Sequence, residues 1–140
     1  MNLSDSLPQV LIIDDHSAVR AGIAQALQGT ELDCCGEAAS FNEAIAQIAH
    51  TNPDAIIVDL NLPDGSGLDL IRWVRKRSAE TAIVMLTMSD SDADLVAAMQ
   101  AGASGFVKKS APLGEVISVL KRAIDSPRSF TANGLVSALK

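Results

Sequence analysis

Residues 10–15 read VLIIDD: four consecutive apolar residues, Val10 to Ile13, closed by the carboxylates of Asp14 and Asp15. A short apolar run without alternation is what a strand covered on both faces requires. Immediately after it, Val19, Ile23 and Leu27 fall at i, i+4 and i+8 on one face of a helix that Gly29 closes. Strand followed by amphipathic helix is one βα unit, and the unit recurs outward along the chain. Leu32 to Ala38 reads as a weaker second strand, and Phe41, Ala44, Ile45 and Ile48 form the buried stripe of a second helix that stops before Asn52-Pro53. Ala55 to Val58 is a third apolar run, bounded by Asp59 and a loop containing Pro63, Gly65 and Gly67. The third helix carries Leu68, Ile71 and Val74, with Arg72, Arg75, Lys76 and Arg77 on its wet side. Ala82 to Leu86 is a fourth strand, followed by a helix marked by Leu95 and Met99 that ends at Gly102. Gly105 to Lys108 is a fifth, and Leu113, Val116, Ile117, Leu120 and Ile124 line one side of the last helix.

Five strands alternating with five helices predict an α/β domain: a parallel sheet with helices on both faces. In such a sheet every strand points the same way, so the strand ends share one edge, where a crevice opens. The residues at those ends are Asp14 and Asp15, Asp59, Thr87 and Lys109. Singly, each has an ordinary explanation. Asp15 or Ser17 is a fit cap for the first helix, and Asp59 a fit start for a turn through Asn61, Pro63, Asp64 and Gly65. Thr87 is a common strand residue, and Lys109 a solvated charge. Taken together, three carboxylates at one edge repel one another unless a cation sits among them. A hard divalent ion such as Mg²⁺ suits oxygen ligands. One chemistry uses such a set: Asp59 as nucleophile toward a phosphoryl group, the cation screening two anions, and Lys109 with the Thr87 hydroxyl binding the transferred oxygens.

Composition narrows the class. The chain has 140 residues, room for one domain with a real core. Seventeen acids against eleven bases give a net charge of −6, which supplies no positive field for nucleic acid within these residues. The apolar runs fall far short of the roughly 20 residues a membrane span needs. Met1 to Pro8 contains an acid, Asp5, and no apolar core, so it does not read as a signal peptide. The two cysteines, Cys34 and Cys35, are neighbours in a strand and should face opposite sides of it, as ordinary strand thiols of a reducing, cytoplasmic compartment.

These motifs, LIIDD, IIVDLNLPDGSG, VMLT and GASGFVKK in that order, resemble the receiver domains of two-component response regulators. The resemblance runs from about Gln9 to Asp125. It implies a flavodoxin-like (βα)5 doubly wound sheet of strand order 2-1-3-4-5, with Asp59 as phosphoacceptor. It implies Mg²⁺ held by Asp14, Asp15, Asp59 and the backbone carbonyl of Asn61, with Asp14 acting largely through water. It makes Thr87 the switch hydroxyl, Phe106 the switch aromatic and Lys109, three residues on, the phosphoryl-binding lysine. Strand alternation sends neighbouring Lys108 the other way. Asn61 and Ser89 stand where the family tunes dephosphorylation. Two residues depart from the common pattern: Phe106 stands where tyrosine is frequent, and Ser110 where proline is, so a cis bond after Lys109 would lack proline's help.

The resemblance implies further partners and boundaries. A sensor histidine kinase would phosphorylate the domain, contacting the first helix around Ala18 to Gly22. Phosphorylation would alter the face formed by the fourth helix, fifth strand and fifth helix, and promote a homodimer through Val96 or Met99 and the outer face of the fifth helix. DDHSAVRAGIAQAL and GFVKKSAPLGEVISVLKRAI resemble the NarL/FixJ group, whose members usually carry a LuxR-type DNA-binding domain. The expected boundaries are a tail at 1–8, the receiver at 9–126, and a linker or short helix at 127–140, where Leu135, Val136 and Leu139 form one amphipathic turn. The output domain is expected in a longer regulator, with a stand-alone receiver as the alternative. A flavodoxin-like electron carrier, an aspartate-nucleophile phosphatase and a purely protein-binding receiver fold are the other readings. Acids after the first strand disfavour the carrier, Asn61 in place of a general acid disfavours the phosphatase, and the full acidic set disfavours the third.

Overall fold

The structure is a computed structural model that describes residues 7–132. Its elements are β1 (Gln9–Ile13), α1 (Ser17–Leu27), β2 (Asp33–Ala38), α2 (Phe41–Thr51), β3 (Ala55–Asp59), α3 (Gly67–Arg77), β4 (Ala82–Thr87), α4 (Asp92–Ala101), β5 (Gly105–Lys108), α5 (Leu113–Asp125) and β6 (Thr131–Ala132). The sheet order is β2-β1-β3-β4-β5-β6 and every pairing is parallel. Asn61–Leu62 and Gly65–Ser66 form a small antiparallel hairpin outside this sheet.

Alternation along the central strands builds two cores. Leu11, Ile13, Ile56, Val58, Ile83 and Met85 face the side covered by α2, α3 and α4. Val10, Ile12, Ala55, Ile57, Val84 and Leu86 face the side covered by α1 and α5. Both faces of the central strands are therefore dry, which is why their sequences read as unbroken apolar runs. No helix among the described residues is long and apolar enough to cross a membrane.

Four details differ from the sequence expectation. First, the sheet gains a sixth strand. Thr131 pairs with Gly105 and Ala132 with Phe106, and the Thr131 amide donates to the Ser104 carbonyl at 3.0 Å. Two residues carry no periodicity that a sequence reading detects. Second, Arg75 leaves the wet side of α3. Its guanidinium donates to the carbonyls of Gly102 (2.7 Å), Thr81 (2.6 Å), Ser78 and Pro127 and to the Ser104 hydroxyl, because the α4–β5 turn passes over it. Burial pulls its pKa down from the usual value. Third, Met99 is only half-buried, and α4 instead buries Leu95, Ala98 and Ala101. Fourth, β2 is largely exposed and its pairing to β1 slips between Val10 and Leu11, passing over Cys35. All described peptide bonds are trans, including that after Lys109. The turn expected from Leu135, Val136 and Leu139 lies outside the described residues.

Candidate functional site

Because all the strands run parallel, β1, β3, β4 and β5 deliver their last residues to one edge. Asp14 and Asp15 follow β1, Asp59 ends β3, Thr87 ends β4, and Lys109 follows β5. The Lys109 amide donates to the Thr87 carbonyl at 2.8 Å, which fastens the β5 end to the β4 end. The Lys109 side chain then turns inward. Its Nζ lies 2.9 Å from Asp14 Oδ2 and 3.0 Å from Asp59 Oδ2, with all three side chains almost fully buried. Lys108 points the other way, as alternation predicts, and pairs with Asp90 at 2.8 Å.

Electrostatics at this edge are unfavourable for the Asp59 carboxylate as it stands. Burial raises the pKa of Asp59 and the charge of Asp14 raises it further, against the lowering effects of Lys109 and the Asn61 amide. Burial pulls Lys109 down, but its contacts with Asp14 and Asp59 outweigh that and hold it above its ordinary value. Asp14 Oδ2 is buried and has no well-directed hydrogen bond, its close approach to Lys109 being an ionic contact. A buried anionic oxygen in that position is the kind of group a cation satisfies.

Among the described residues, Asp14, Asp15, His16 and Asp59 each offer a ligand atom, and these atoms lie within 4.8 Å of one another. The set is dominated by hard carboxylate oxygens, so it fits a divalent cation. Asn61 stands at the rim, its amide donating to Asp59 Oδ1 at 3.3 Å. The turn reading of Asp59 therefore holds beside its place in the cluster. Neither Asp15 nor Ser17 caps α1, whose N-cap is His16 without a side-chain cap. Asp14 Oδ1 instead accepts from the His16 amide at 2.8 Å.

Thr87 is buried, and its Oγ1 accepts from the Ser89 amide at 3.0 Å. Ser89 Oγ in turn donates to Asp94 Oδ2 on α4 at 2.5 Å. Phe106 is packed inward, 5% exposed, in the cluster that holds Met85, Leu95 and Ala98. Gly67 packs against the backbone at the end of β3, its amide donating to the Leu60 carbonyl at 2.7 Å. A Cβ there would lie 2.2 Å from the Asp59 carbonyl oxygen, so only glycine lets α3 start against β3.

Two residues at the site were not read from the sequence. His16 Nδ1 lies 3.1 Å from Asp14 Oδ1, 3.2 Å from Asp15 Oδ1 and 3.3 Å from Lys109 Nζ. Arg20 Nη1 donates to the Asp14 carbonyl at 2.6 Å while its Nε holds Glu37 at 3.0 Å. The adjacency of His16 to Asp15 was the available signal for the first. Arg20 gave none, since its partners lie on the backbone and on β2.

Residues 10–121 match the response regulator receiver domain family. The chain belongs to that family. It is 36% identical over 132 residues to the DNA-binding transcriptional activator DevR/DosR of Mycobacterium tuberculosis, covering 94% of this chain and 60% of that one. It is 34% identical to a nitrate/nitrite response regulator homolog of Haemophilus influenzae, covering 81% of this chain and 55% of the relative. A LuxR-family two-component response regulator from Aurantimonas sp. superimposes with a TM-score of 0.85 at 27% identity, covering 96% of both chains. The chain thus spans a little over half the length of the curated relatives it matches. The receiver reading replaces the electron carrier and the phosphatase: this is a signalling domain with NarL/FixJ-type relatives.

Proposed function

We propose that this receiver accepts a phosphoryl group on Asp59 from a sensor histidine kinase, and that Asp14, Asp15, Asp59 and the Asn61 carbonyl hold Mg²⁺ for that step. The observation that carries this is the buried Lys109 ammonium, set 3.0 Å from Asp59 and 2.9 Å from Asp14 at the edge where the carboxylates gather. An Asp59 oxygen attacks the donor phosphorus. The new O–P bond forms as the donor's P–N or P–O bond breaks, and the departing group keeps that electron pair and takes up a proton. Bound Mg²⁺ would screen the repulsion between the two anions. Lys109, already paired to Asp59, binds a phosphoryl oxygen after transfer. Hydrolysis of the acyl phosphate, the reverse arm of the cycle, is proposed for the same site, with Asn61 and Ser89 at its rim setting the rate.

Switching follows from charge. A phosphoryl group adds acceptor oxygens that draw the Thr87 hydroxyl, which then gives up its bond from the Ser89 amide. That bond and the Ser89–Asp94 contact tie Thr87 to α4, so a move at Thr87 reaches the face made by α4, β5 and α5. A cleft of about 330 Å³ lies on this face, lined by Ser89, Leu95, Phe106 and Lys108 among others. We assign to this face the contact with a second copy or an output domain. Similarity to a DNA-binding transcriptional activator and to a LuxR-family response regulator supports a LuxR-type output domain in a longer, cytoplasmic regulator. Mg²⁺-dependent labelling from a small phosphodonor tests the acceptor. The parent is expected to label, Asp59→Asn to fail and omission of metal to abolish the signal. Equal labelling of the parent and Asp59→Asn would reject it.

A further inference from the structure

We infer that His16 is a nitrogen donor to the same cation site, which makes the pocket favour borderline divalent transition ions such as Ni²⁺ and Co²⁺ beyond what its carboxylates alone would give. This rests on the proposed carboxylate site and adds a ligand to it. The His16 ring is not merely near the acids. Its amide is pinned by Asp14 Oδ1 at 2.8 Å, and Nδ1 stands 3.1 and 3.2 Å from the Asp14 and Asp15 carboxylates. The ligand atoms of Asp14, Asp15, His16 and Asp59 fall within 4.8 Å of one another. Buried Asp14 Oδ2, lacking a well-directed hydrogen bond, lies in the same pocket. Nδ1 thus faces two carboxylate oxygens and, at 3.3 Å, the Lys109 ammonium; a cation entering among the carboxylates takes Nδ1 through its lone pair, with the ring proton carried on Nε2.

The chemistry of the donors sets the selectivity. Carboxylates alone serve Mg²⁺ and Ca²⁺, whereas imidazole binds Mn²⁺ modestly and Ni²⁺ strongly along the affinity series of the first-row ions. The His16 side chain is 63% exposed and makes no cap to α1, so its replacement leaves the fold intact.

Calorimetric titration of the 140-residue chain with NiCl₂ and MgCl₂, compared with His16→Gln and His16→Asn, reads the selectivity. The ratio of Ni²⁺ to Mg²⁺ affinity should fall by about tenfold or more in both variants, the size of effect that even outer-shell ligand partners produce. Pulsed EPR of the Mn²⁺-loaded chain should show coupling to one imidazole nitrogen that both variants lose. Mn²⁺ that binds, is displaced by Mg²⁺ and shows no nitrogen coupling overturns the His16 assignment while leaving the carboxylate site standing. Coupling that persists in His16→Gln also overturns it. Mn²⁺ binding unchanged by Asp15→Asn and Asp59→Asn overturns the carboxylate site itself.

Discussion

Asp59 is held in a state that costs stability. Its pKa is raised by burial and by Asp14, so the folded chain holds a proton on it more tightly than the unfolded chain does. Stability attributable to this group is therefore greatest at low pH and falls as pH rises from 3.8 through the raised value. Asp59→Asn removes that loss. Without metal, the variant should unfold at higher urea than the parent at pH 7, and the difference should shrink below pH 4. A parent that is the more stable at neutral pH would contradict this. Thr87→Ala should still be labelled on Asp59 but fail to alter the α4–β5–α5 face, read by backbone amide shifts with and without beryllofluoride. Shifts like the parent's would remove Thr87 as the relay. Asp14, Asp59, Thr87 and Lys109 were legible from the sequence because each ends an apolar run whose direction and burial are periodic. His16, Arg20 and Arg75 were not, because a polar side chain's partner depends on the path of loops that no periodicity encodes.

At the scale of elements, the β3–α3 junction and the Arg75 clasp carry the tightest constraints. Gly67→Ala puts a methyl group 2.2 Å from the Asp59 carbonyl, and overpacking of this kind costs about 1–3 kcal/mol. Thermal unfolding should show the loss, and phosphoryl labelling should slow as Asp59 is displaced. Arg75 joins the end of α3, the start of β4, the α4–β5 turn and the Pro127 carbonyl. Arg75→Met takes the donor from the part-buried carbonyls of Gly102 and Thr81, and at about 1–3 kcal/mol for each group left unpaired it is expected to cost about 2–6 kcal/mol. The Thr131 amide, bonded to the Ser104 carbonyl, should lose hydrogen-exchange protection in the same variant. Protection equal to the parent's would separate β6 from the clasp. Arg75→Lys should not rescue, since one ammonium cannot reach carbonyls spread around a planar fork.

Across the whole molecule, the division of labour follows the sheet. Its dry central strands supply two cores, and its carboxyl edge gathers charges that the rest of the fold cannot neutralise alone. Three of seventeen acids, Asp14, Asp15 and Asp59, sit there, which gives the net charge of −6 a local purpose beyond discouraging nucleic acid. Beryllofluoride with Mg²⁺ should shift the chain toward a dimer in sedimentation, and Val96→Asp or Met99→Asp should prevent the shift. An unchanged monomer would contradict self-association through this face. One covalent bond, the acyl phosphate at Asp59, decides whether this edge is a phosphoacceptor site. Borohydride reduction of the chain after treatment with a phosphodonor and Mg²⁺, followed by peptide mapping, converts an aspartyl phosphate to homoserine at its own position. Homoserine at position 59 is predicted, whereas homoserine at Asp14 or Asp15, or none in a labelled chain, would contradict it.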